Sequence, residues 1–227
     1  MKQIKSIERV RDLGEVYTHE REVNAMLDLV KKETHQIGST FLEPACGNGN
    51  FLVAILDRKL KVVHARYTEK PAVEYHALRA LASIYGIDIC QENVTEAKQR
   101  LLASLQLFYK KALPRVKASA GFREVVDYIL ETNIQQGDTL NETEKLRITQ
   151  FTWHHQTKTV EQAVFRLQDL IQQPNQLLAL EPNPIKTIEP LPYLALAPKT
   201  VSSNITAEKP RVSIAQPQRK KVLIAHA

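Results

Sequence analysis

A parallel, doubly wound α/β sheet is the fold class that these 227 residues predict, and three observations predict it. From Arg21 to Leu140, short apolar runs alternate with stretches of helical period, the order that lays helices across a parallel sheet. One run, Thr40–Glu43, passes through a glycine-bearing turn directly into a helical stretch. Two later runs end in acidic residues, Asp88 and Asp138.

Each element has its own signal. Between Arg21 and Lys32, the residues Val23, Met26, Leu27 and Val30 recur at i, i+3, i+4 and i+7, which predicts a helix with one apolar face. Thr40-Phe41-Leu42-Glu43 is the first strand, and Phe51, Leu52, Ile55 and Leu56 return to helical spacing after it. A helix over Ala72–Ala82 leads into a second strand, Ser83–Ile89, with Asp88 near its carboxyl end. A long helix then runs from Gln91 to about Lys111, where Pro114 stops it. Phe122–Leu130 forms a further helix, and Asn133–Asp138 a third strand ending in Gly-Asp.

Composition divides the chain. All seven glycines lie at or before Gly137, whereas eight of the eleven prolines lie at or after Pro174. Three regions follow: a core over residues 1–150, a helical docking segment over 151–171, and a Pro-rich basic tail over 172–227 that is extended or disordered. The docking helix is expected from Val160 to Ile171, with Val164, Leu167 and Ile171 on one face. The tail holds seven Lys or Arg against three Glu, a large part of the net charge of +6. That charge suits a polyanion without identifying one.

Two cysteines, Cys46 and Cys90, are too few for a disulfide framework and lack metal-ligand spacing, so a reducing, cytoplasmic setting and no metal are expected. The charged start Met1-Lys2-Gln3-Ile4-Lys5 carries no apolar stretch of signal-peptide length and no run of ~18 apolar residues occurs, so neither export nor a membrane span is expected.

The chemistry is concentrated in Glu43-Pro44-Ala45-Cys46-Gly47-Asn48-Gly49-Asn50-Phe51. Its glycines let a strand turn sharply into a helix and let a ligand approach the backbone where a Cβ would clash. The bland reading, a structural turn, accounts for Gly-x-Gly alone but not for the full string. Asp88, after Tyr85-Gly86-Ile87, admits two readings: a helix cap, or an acceptor for ribose hydroxyls at the end of the second strand. Asp138, in Gln136-Gly137-Asp138-Thr139-Leu140, is either a turn residue or a ligand carboxylate. Gly14-Glu15-Val16-Tyr17-Thr18-His19 precedes the first helix, with Thr18 in capping position.

Together these stretches resemble the cofactor motifs of amino-methylating DNA methyltransferases. Glu43–Phe51 is similar to Asp-Pro-Ala-Cys-Gly-Ser-Gly-Asn-Phe, with Glu43 for Asp and Asn48 for Ser. Gly14–His19 resembles Gly-Glu-Val-Phe-Thr-Pro, with His19 for Pro. The resemblance covers roughly residues 1 to 150. It implies a partial Rossmann-like S-adenosylmethionine-dependent methyltransferase fold. It further implies a cofactor site made of Tyr17, Thr18, Glu43, Ala45, Cys46, Gly47, Gly49, Asn50, Asp88, Ile89 and Asp138. Glu43 would meet the methionine ammonium, Asp88 the ribose and Asp138 the adenine amino group.

The family's catalytic Asn/Asp/Ser-Pro-Pro-Tyr/Phe, which holds the target amine and stacks on the flipped base, does not follow Asp138. Asn183-Pro184-Ile185-Lys186 and Pro190-Leu191-Pro192-Tyr193 approximate it without its adjacent prolines and aromatic residue. The N-terminal stretch resembles restriction-modification methylase subunits in which that tetrapeptide stands on a second polypeptide. The expected function is therefore the S-adenosylmethionine-binding subunit of a DNA adenine methyltransferase. Its partners would be DNA and a second subunit carrying the catalytic residues and target recognition. The alternative is a degenerate, inactive methyltransferase-fold binding module. Phe151-Thr152-Trp153-His154-His155 is read as packing or partner contact rather than a metal site.

Overall fold

The computed structural model describes residues 18–171 and 182–198, and the backbone of 222–224. Helix α1 (Glu20–Leu29) and the single turn α2 (Lys31–Thr34) lead to strand β1 (Thr40–Glu43). Helices α3 (Asn50–Arg66) and α4 (Lys70–Leu81) connect β1 to β2 (Ile84–Asp88). Helices α5 (Gln91–Ala112) and α6 (Ala120–Asn133) connect β2 to β3 (Ile134–Gln136). Then follow β4 (Arg147–His154), β5 (Thr159–Arg166), the short α7 (Leu167–Ile171), β6 (Lys186–Pro192), a 3-10 turn at Tyr193–Ala195, and β7 (Val222–Ile224).

Strands β3, β2, β1 and β7 form one parallel sheet in that order, with Phe41 opposite both Ile84 and Leu223, and Gly86 opposite Ile134. The architecture is mixed α/β and compatible with a Rossmann-like fold. From β1 the chain steps outward through β2 to β3, then returns past β1 to lay β7 on its other side. In open sheets of this kind the ligand crevice lies beyond the carboxyl ends of the strands, where the winding reverses. Here that point is at β1 and β7.

Both faces of β1 and β2 are buried, which explains why these two strands read as nearly continuous apolar runs. Side chains alternate along a strand. Phe41 and Ile84 join the core with Leu52, Ile55 and Leu56 of α3 and Leu101 and Leu105 of α5. Leu42, Tyr85 and Ile87 pack instead with Leu146, Ile148 and Leu167. Gly86 lies under α3, where a Cβ would come within 2.5 Å of Leu52 Cδ1. Local signals set the helix ends: Pro71 stands in the first turn of α4, Ser119 Oγ accepts from Phe122 N–H at the start of α6, and Lys110 and Lys111 close α5.

The region after Leu140 departs from expectation. Val160–Arg166 is not helical: β4, β5 and β6 make an antiparallel sheet in which Ile148 faces Phe165 and Gln162 faces Ile188. Val164, Leu167 and Ile171 mimic a helical stripe, but Val160, Gln162 and Phe165 are the buried positions of β5. Gln162 hid the strand because it is a polar residue in a buried position, where Tyr128 Oη donates to its Oε1. The divisions expected near 150 and 172 do not separate folded units, since β4 spans the first and β5–β6 pairing spans the second.

The tail is also structured in part. Pro190 and Pro192 sit in β6, an outer and mostly exposed strand, where a missing N–H costs no ladder bond. Val222–Ile224 completes the parallel sheet. The remainder of the tail, including Arg219-Lys220-Lys221, lies outside the described residues.

Candidate functional site

The turn after β1 is shaped by two residues in the left-handed region, Gly47 at φ 51° and Gly49 at φ 84°. Gly49 starts α3 and also permits close packing, since a Cβ there would lie 3.0 Å from Ala97 Cβ on α5. Cys46 N–H donates to Ile87 O at 2.9 Å, which keeps the turn against the end of β2.

Asp88 joins two of the motif stretches. Its Oδ2 accepts from Gly47 N–H at 2.8 Å, while Oδ1 accepts from Cys90 N–H at 2.9 Å and Asn93 Nδ2 at 3.3 Å. The carboxylate thus braces the glycine turn and satisfies an amide at the entry to α5. A carboxylate has about four lone-pair sites, so these three bonds leave room for a ligand hydroxyl.

The third stretch joins the other two. Gly137 N–H donates to Asp88 O at 3.0 Å, and Thr139 Oγ1 donates to Pro44 O at 3.0 Å. Asp138, between them, accepts from Asn141 Nδ2 at 2.8 Å and from the amides of Leu140 and Asn141 at 2.8 and 3.0 Å. These bonds, the Asn141 side chain first, hold its carboxyl below the usual range. The turn reading of Asp138 is thereby met in geometry, and the same residue lies beside the turn after β1.

The approach to α1 reaches this point too. Asn50 Nδ2 donates to Thr18 O at 3.0 Å, and Asn50 Oδ1 accepts from Arg100 Nη1 at 2.8 Å. Arg100 also donates to Asn48 O at 2.8 Å, and Asn48 Nδ2 donates to Glu96 Oε1 at 2.8 Å. His19, not Thr18, caps α1, with Glu22 Oε2 accepting from His19 N–H at 3.0 Å. Tyr17 lies outside the described residues. A groove of about 680 Å³ runs from Thr18 and Asn50 along α1 and α3, past Asp57 and Arg58.

Sequence reasoning missed Glu96, Arg100, Thr139 and Leu140. The signal for the first two was their i, i+4 spacing on the helix that packs behind the turn. For Leu140 it was an aliphatic residue beside the acidic motif, here 89% exposed; Ile89 beside Asp88 is 56% exposed.

Burial sets the electrostatics. Glu43 is 6% exposed, and desolvation pushes its carboxyl up to about 7 against the opposing Ala45 amide. Burial, with Asp88 and Glu43 nearby, pushes the Cys46 thiol up, so Cys46 packs as a neutral side chain and not as a nucleophile. Ala45 is exposed at the turn and Gly47 is half-buried. The arrangement offers an acidic, partly apolar crest over the carboxyl ends of three strands.

Other candidates lie elsewhere. Phe151 and Trp153 are buried in β4, as packing requires. No group of three or more His, Cys, Asp or Glu among the described residues is disposed to hold a metal ion. Pro190 and Pro192 belong to β6, and the Tyr193 ring packs 5.2 Å from that of Tyr75 instead of facing the turn. Among the described residues no helix is long and apolar enough to cross a membrane. No protein-family model, no curated protein and no solved structure matches the chain.

Proposed function

We propose that this chain is the S-adenosylmethionine-binding unit of a DNA adenine methyltransferase whose catalytic tetrapeptide comes from another polypeptide. The observation that carries the reading is the joining of three separate sequence motifs at one crest, through Gly47–Asp88 and Pro44–Thr139. A strand-to-helix turn needed only for folding would not require the other two motifs beside it.

The residues fit the cofactor. Glu43 is a buried carboxylate without a cationic partner among the described residues, suited to the methionine ammonium. Asp88 retains acceptor capacity for ribose hydroxyls, and Asp138 for the adenine amino group. Gly47 and Ala45 leave the backbone approachable, Cys46 and Gly49 shape the turn, and Ile89 and Leu140 offer apolar surface to a planar base. Asn50 fixes Thr18 over the turn, and Arg100 fixes Asn50. When bound, the cofactor supplies a sulfonium methyl group for transfer. The amine acceptor is handled by residues outside these 227.

Calorimetric titration with S-adenosylmethionine, followed by methyl transfer to adenine-containing DNA, tests the reading. Binding without transfer is expected, with transfer restored by a partner that carries Asn-Pro-Pro-Tyr. Absence of binding to the folded chain would sink the cofactor assignment, and transfer by the chain alone would sink the division of labour.

A further inference from the structure

Seven buried side-chain nitrogen or oxygen atoms lack a hydrogen-bond partner among the described residues, and three of them, Tyr75 Oη, His76 Nδ1 and Arg79 Nε, lie close together on α4. Buried polar groups are nearly always satisfied, so such a concentration calls for an explanation. Tyr75 is fully buried and His76 is 7% exposed.

Their surroundings are cationic and aromatic. The Tyr67 ring stacks on His76 at 3.9 Å, His155 lies 5.8 Å from His76, and Lys158 Nζ stands 4.3 Å over the Tyr75 ring. Arg79 and Lys158 have no carboxylate partner among the described residues. Glu74, the carboxylate of this helix, is engaged instead by Tyr109 Oη, Ser119 and Lys70. Burial first, and then the nearby Arg79, His155, Lys158 and Arg66, push the His76 imidazole down to about 4.

The cluster is at the far end of the sheet from the crest. Arg79 lies against Gly38 and, with Thr40 and Ser83, lines a small cavity beside the amino ends of β1 and β2. It therefore belongs neither to the cofactor residues nor to their reaction.

We propose that Tyr75, His76, Arg79 and Lys158 form an anion site that takes a phosphate group. Phosphate presents several strong acceptor oxygens, which match a phenol, an imidazole N–H, a guanidinium and an ammonium better than a single carboxylate would. The buried donors lie beneath His155 and Lys158, two exposed side chains at the β4–β5 turn. Binding draws Lys158 from the Tyr75 ring to the anion and opens the way to the donors below. The phosphate is either free or part of a nucleic-acid backbone.

Trp153, the chain's single tryptophan, has its ring 5.2 Å from Tyr75 and serves as a reporter. The full chain is titrated with inorganic phosphate and with a short DNA duplex at constant ionic strength, with chloride as control. A saturable change in Trp153 emission is expected, absent with chloride, together with an upward shift of the His76 pKa followed by NMR. Lys158→Gly suits the φ of 55° at this exposed position and is expected to weaken binding about tenfold or more. Arg79→Gln is expected to do the same while circular dichroism stays unchanged. A duplex response at far lower concentration than phosphate assigns the site to a nucleic-acid backbone, and a response to phosphate alone assigns it to the free ion. No response to either, or an equal response in Lys158→Gly, overturns the site.

Discussion

Two buried ionisable side chains stand at opposite ends of β1, and the protein serves them differently. Lys59 of α3 is fully buried, yet it donates to Ser83 Oγ at 2.7 Å, to Ile37 O at 3.4 Å and to Ser39 O, and lies 5.0 Å from the Phe41 ring centroid. It ties together the approaches to β1 and β2. Glu43, buried at the other end, has a local bond from the Ala45 amide and no cation opposite it among the described residues. Burial disfavours the charged form of both, but Lys59 has three oxygen partners within its own fold, whereas Glu43 keeps the acceptor capacity on which the proposed cofactor reading rests.

The strongest challenge to that contrast is Asp88→Ala. It strips acceptors from Gly47, Cys90 and Asn93, so calorimetry is expected to show cofactor affinity falling by about a hundredfold, and urea unfolding a loss of roughly 2–4 kcal/mol. Affinity that survives the substitution would make the crest merely architectural.

Glu43→Gln is expected to move two readouts in opposite directions. Its folded pKa, about 7, exceeds the ordinary 4.5, so the folded chain binds more protons between those values and loses stability as pH rises through them. Removing the charge should stabilise the free chain at pH 8 by on the order of 1–3 kcal/mol while weakening the cofactor about tenfold. Equal losses in both would instead mark Glu43 as structural.

Titrating cofactor affinity against pH sharpens the point. If the ammonium requires ionised Glu43, affinity rises from pH 5.5 to 7 by up to about tenfold per unit, and Glu43→Gln flattens the rise. A flat wild-type profile would detach Glu43 from the ligand.

Lys59 acts on folding alone. Burial, with Arg79 nearby, pushes its ammonium down to about 7 from 10.5, so the unfolded chain binds more protons between these values and stability rises with pH across them. Lys59→Met is expected to remove a slope of roughly 1 kcal/mol per pH unit there without changing cofactor affinity. Arg100→Ala is the mildest change. Loss of its bonds to Asn48 and Asn50 is expected to weaken cofactor binding several-fold, about 1 kcal/mol, with little change in unfolding.

What the sequence disclosed follows the same division. The turn from Glu43 to Asn50 was legible because positive φ at Gly47 and Gly49 restricts which residues stand there. Asp88 and Asp138 were legible because their carboxylates cap local backbone groups, a task few side chains perform. Strands β1 and β2 were legible because both faces are buried. Strand β5 was not, since Gln162 occupies a buried position and Val164, Leu167 and Ile171 fall at helical spacing. Strand β6 was hidden by prolines that only an outer strand accommodates. The braces Glu96 and Arg100 left only an ambiguous signal, because a charged i, i+4 pair also reads as an ordinary solvated helix face.

The pairing of β1 with β7 has a consequence for how the molecule is made. Phe41 meets Leu223, a residue near the other end of the sequence. Closing so long a loop carries an entropic penalty that local helices and the β4–β5 hairpin do not face, which makes this the late event in folding. During synthesis, the side of β1 that will receive β7 remains unpaired until Val222–Ile224 has been translated. Such an edge can accept the wrong strand, and it is the place where a chaperone would be most useful to this protein.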